Sequence, residues 1–83
     1  MKLPLIDGNF SQRDAEAIIS SMIQLKIKFH ERKIEEDNLQ EEDIKMREKR
    51  IIELQNNLKE FKALIRSNST TRLHIFAEAI IDE

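Results

Sequence analysis

The chain reads as an α+β, mostly helical protein: an antiparallel helical hairpin flanked by short N- and C-terminal strands, in the order β-α-α-β. Three observations predict this class. Ile44, Ile51, Leu54, Leu58, Phe61 and Ile65 recur at seven-, three- and four-residue steps, which lays a narrow apolar seam along one helix. Upstream, Leu25, Ile18, Phe29 and Met22 cluster on one side of a second helix, and Ile19, Ile23, Ile34 and Ile27 continue around it. Beyond these helices, each end of the chain carries a short apolar stretch set off by polar residues. An all-α arrangement, either three helices or a coiled-coil hairpin, is the alternative.

The elements follow in order within a single domain, 1–83. Residues 1–7 form a strand through Leu3, Leu5 and Ile6, and Pro4, which lacks a ladder donor, confines it to a sheet edge. Asp7-Gly8-Asn9 signals a turn. Ser11 caps helix 1 with Asp14 three residues on, and Phe10 before the cap can staple onto Ala15. Helix 1 spans 11–34. Its apolar arc covers roughly half the circumference, wider than the ~100° stripe of an ordinary surface helix.

An acidic loop, 35–40, separates the helices, and six carboxylates fall between Glu35 and Asp43. Helix 2 spans 41–66, with Asn38 and Glu41 as a second capping pair and acid-before-base pairs at Glu41–Lys45 and Asp43–Arg47. One continuous helix would need its two apolar series in phase. The series Ile18, Met22, Leu25, Phe29 is one position out of step with Ile44, Ile51, Leu58, Ile65, so a hairpin fits better. After a polar break from Ser67 to Thr71, residues 72–82 read either as helix (Leu73, Phe76, Ala77, Ile80, Ile81) or as strand. In the strand reading Leu73, Ile75, Ala77, Ala79 and Ile81 alternate with His74, Phe76, Glu78, Ile80 and Asp82. The strand is preferred, because the apolar segment at the other terminus needs a pairing partner.

Leu5-Ile6-Asp7-Gly8-Asn9-Phe10, followed by Lys26-Ile27-Lys28-Phe29-His30, resembles small uncharacterised bacterial proteins that open with a short strand and close with an alternating one. The resemblance implies the strand–helix–helix–strand order and attaches no activity.

Composition excludes more than it assigns. The net charge is −2, from 14 basic and 16 acidic residues, which gives no general attraction to nucleic acid or anionic membrane. Without cysteine there is neither a disulfide framework nor a thiolate site, and a reducing cytoplasm is the expected address. The opening apolar run is too short for a signal peptide, and no window approaches the length of a membrane-spanning helix. No glycine-framed nucleophile or phosphate-cradling loop occurs, and the acidic loop lacks the glycine of a calcium loop. His30, on the wide face of helix 1, reads as a boundary residue of a core or subunit contact rather than a base or ligand. His74 and Glu78 make only a weak metal pair. No enzyme activity, cofactor or metal is expected.

What remains is assembly. The narrow seam of helix 2 cannot cover the wide face of helix 1, so a non-enzymatic interaction or scaffold protein is expected, forming a homodimer through its apolar helical faces. Ile19, Ile23, Ile27, His30 and Ile34 are the candidates for the subunit contact. The alternative is a nucleic-acid-binding regulator using a basic hairpin tip, where Lys28, Arg32 and Lys33 on one arm meet Arg47 and Arg50 on the other. Glu31, Glu48 and the acidic loop lie among these cations and offset much of their field.

Overall fold

A computed structural model of the chain describes residues 1–67 and 72–82. The order is β1 (Lys2–Ser11), α1 (Gln12–Glu36), α2 (Glu41–Ser67) and β2 (Arg72–Ile80), the β-α-α-β class expected from the sequence. The strands pair antiparallel as a two-stranded ribbon, which settles the C-terminal segment as strand. The reason is backbone satisfaction. A helix there would leave the ladder groups of β1 without partners, whereas strand pairing satisfies both termini together.

β1 runs straight into α1. Ser11 is the last strand residue and also the helix cap, its extended backbone (φ −63°, ψ 160°) leaving Oγ free to accept the Asp14 N–H at 3.1 Å. The turn expected at Asp7-Gly8-Asn9 does not form. Those residues continue the strand opposite Phe76, Ile75 and His74, and no residue adopts a positive φ among those described. A nine-residue partner strand offers enough ladder to extend the pairing through a sequence that would otherwise bend.

Met1 and Ile81 exchange backbone hydrogen bonds, each 2.8 Å. That reciprocal pair fixes the parity of the ladder: Leu3 bonds inward to Ala79, and Pro4, opposite Glu78, directs its missing donor outward. The edge position expected for Pro4 is therefore observed. The register shifts by one residue at Leu5, between Pro4 and Ile6. Past this bulge, Ile6, Gly8 and Phe10 share a face with Leu73, Ile75, Ala77 and Ala79, and this face is half-buried against α1. The opposite face, including His74 and Phe76, is exposed.

The hairpin turns within four residues. Asp37 closes α1, its N–H donating to the Lys33 carbonyl at 3.1 Å, and α2 opens with the Ile44 N–H on the Gln40 carbonyl at 3.1 Å. Asn38 is thus not the cap of α2, because Asp37 to Gln40 is spent reversing the chain and the helix starts only at Glu41. The expected Glu41–Lys45 pair is present at 3.3 Å. The polar break from Ser67 ends α2 at that residue, whose hydroxyl donates to the Leu64 carbonyl. Its remaining positions, 68–71, lie outside the described residues.

α1 and α2 pack along their lengths, and the α2 seam is where the sequence places it: Leu54 is 2% exposed, Ile65 is also buried, and Ile44, Ile51, Leu58 and Phe61 are half-buried. Ala15 completes the set of fully buried apolar residues among those described. The ribbon touches the helices through α1 alone among the described elements. The chain therefore forms a slab of 46 × 33 × 15 Å with a radius of gyration of 15.5 Å, against about 12 Å for a compact domain of this length. Stable domains stack two layers of secondary structure around a core. This one is close to a single layer.

Candidate functional site at the hairpin tip and the uncovered faces

The two arms of the hairpin meet near its tip in an open cleft of about 550 Å³. Leu39 and Met46 give it apolar wall, Arg47, Lys49 and Arg50 give it positive charge, and Asp43 and Glu53 oppose that charge. His30 enters from α1. An Arg47 guanidinium N–H donates to His30 Nδ1 at 3.0 Å, so the ring accepts there and carries its proton on Nε2. Burial, followed by the charges of Arg47, Arg50 and Lys26, lowers the His30 pKa below the ordinary histidine value. A neutral imidazole held this way is a weak proton acceptor and a well-placed packing group. Its edge meets the Phe29 ring at 5.5 Å between centroids.

The basic tip residues fall into two groups. Lys33 pairs with Asp37 at 3.6 Å and Arg50 with Glu53 at 3.1 Å, while Lys33 and Arg47 both lie over Phe29, at 5.8 and 5.9 Å from the ring centre. Lys28 and Arg32 are exposed. Three of the five cations are thus engaged within the chain, by a carboxylate or by an aromatic ring. On the ribbon, His74 spans two β1 side chains, with Nδ1 at 3.2 Å from Asn9 Oδ1 and Nε2 at 3.5 Å from Asp7 Oδ1. No cluster of three metal-ligating side chains occurs among the described residues.

The candidate contact residues Ile19, Ile23, Ile27, His30 and Ile34 are all half-buried. They share one line of α1, and the bond from Arg47 to His30 shows that this line looks toward α2. The more exposed apolar side chains lie elsewhere. Leu25 (67% exposed) and Phe29 stand on other faces of α1, well round the helix from that line, Met46, Ile52 and Leu64 stand on α2, and Leu3, Leu5, Phe76 and Ile80 stand on the ribbon. Sequence periodicity places the apolar arc of α1 but not which part α2 takes.

No family model matches this chain, and no curated protein or solved structure matches it either. No helix among the described residues is long and apolar enough to cross a membrane. The dominant property of the described surface is uncovered apolar area.

Proposed function

We propose that this chain is a small, non-enzymatic interaction or scaffold protein that works as a homodimer, in a reducing cytoplasm to which its lack of cysteine is suited. One observation carries the reading. The chain exposes 6776 Å², whereas a compact monomer of its mass exposes about 5,200 Å². The excess, roughly 1,600 Å² per chain, doubles in a dimer to an area typical of obligate homodimers. Much of it is apolar: among the described residues, eleven large hydrophobic side chains are exposed against three buried apolar residues. Each such side chain forgoes roughly 1.5–3 kcal/mol by staying wet, and a small domain has only about 4–12 kcal/mol of net stability to spare.

A second copy offsets much of this deficit by covering apolar area, with the surplus apolar face of α1 contributing to the contact. The test is molar mass by light scattering over a wide range of protein concentration, alongside helicity by circular dichroism. A folded dimer that loses helicity as it dissociates is the expected result. A helical, fully folded monomer at high concentration refutes the proposal.

A further inference from the structure

Resting on that homodimer reading, we infer that two copies join through the free edge of β2, in one specific register, to form a continuous four-stranded antiparallel sheet. The ribbon has two open edges, and they differ. That of β1 is spoiled by Pro4, whose absent N–H lies on the outward side, and by the bulge at Leu5. Such features block strand addition. That of β2 is clean: nine residues with no proline, no glycine and no irregularity. The ladder parity set by Met1 and Ile81 leaves Arg72, His74, Phe76, Glu78 and Ile80 with N–H and C=O pointing away from β1.

β2 is self-complementary about Phe76. In an antiparallel pair centred there, Phe76 meets Phe76 of the second copy on the two-fold axis. His74 meets Glu78, and Arg72 meets Ile80. All five outward-facing positions then find ladder partners, and shifting the register by two residues leaves some of them unpaired. On the other face, Leu73 falls opposite Ala79 and Ile75 opposite Ala77, so each large side chain faces a small one. Aromatic cross-strand pairs are among the stabilising ones, and Phe76, 63% exposed in the single chain, gains an aromatic neighbour. The axis runs normal to the sheet. Both copies therefore present their half-covered inner faces on the same side, the side that carries α1.

The absence of cysteine from the chain provides the test. In a hydrogen-bonded antiparallel pair opposing Cα atoms stand about 5.5 Å apart, inside the range a disulfide spans. Phe76→Cys in the full chain should crosslink to near completion on mild oxidation, leaving the molar mass before oxidation that of a dimer. Leu5→Cys on the other edge, and Leu64→Cys and Ile52→Cys on α2, should crosslink far more slowly. Phe76→Lys, which sets two like charges on the axis, should weaken dimerisation at least tenfold with helicity kept at concentrations where the dimer persists. If Phe76→Cys stays uncrosslinked in a protein whose mass is dimeric, the β2 interface is wrong while the homodimer stands. If the unmodified chain is a folded monomer, both fall.

Discussion

Leu54 lies on the α2 seam at 2% exposure, and Ile52, two residues away on the same helix, is 56% exposed. Truncating each to alanine asks which side of α2 is the core. Leu54→Ala removes a side chain worth roughly 1.5–3 kcal/mol in burial and leaves a cavity between two long helices that cannot close without bending. Taking both effects together, a loss of about 3 kcal/mol is expected, within the range of such substitutions. In a domain of this size that lowers the thermal midpoint by roughly 12–24 °C. Ile52→Ala at an exposed position should change stability by less than about 0.5 kcal/mol. Thermal or urea unfolding followed by circular dichroism decides the matter, with protomer concentration held equal because a dimer's midpoint depends on it. Equal destabilisation by the two variants, or a larger effect at Ile52, refutes the packing described for the hairpin.

Three further outcomes are expected. Ser11→Ala removes the hydroxyl that accepts the Asp14 N–H and should cost about 1 kcal/mol, read as a lower urea midpoint with unchanged strand content. Ser20 Oγ is buried with no hydrogen-bond partner among the described residues, so Ser20→Ala should be neutral or slightly stabilising in the same assay; a clear loss of stability would show that the hydroxyl is bonded. The lowered pKa of His30 makes the unfolded chain the better proton acceptor. Its contribution is present above the ordinary histidine value of about 6.5 and is lost as pH falls through the folded-state pKa. His30→Gln should therefore show a smaller drop in unfolding midpoint between neutral and mildly acid pH than the unmodified chain. An equal drop would remove His30 as the cause.

Much of this architecture was legible in the residues. The seam Ile44, Ile51, Leu54, Leu58, Phe61, Ile65 specified the buried face of α2, because a repeat averaging about 3.5 residues admits one helical solution. Ser11 and Asp14 announced where α1 begins, since few side chains satisfy the orphan donors of a first turn. Pro4 dictated an edge strand, for want of an N–H. Other features were decided by contacts distant in sequence. Asp7-Gly8-Asn9 carries turn chemistry, yet it extends because β2 supplies a partner for every residue opposite it. Residues 72–80 fit a helical period and form a strand for the same reason: a local preference worth tenths of a kcal/mol yields to a ladder of hydrogen bonds from the other end of the chain. Which part of the α1 arc meets α2, and which strand edge stays clean, depended on helix rotation and ladder parity. Both are set by pairing across the fold and leave no mark on either segment alone.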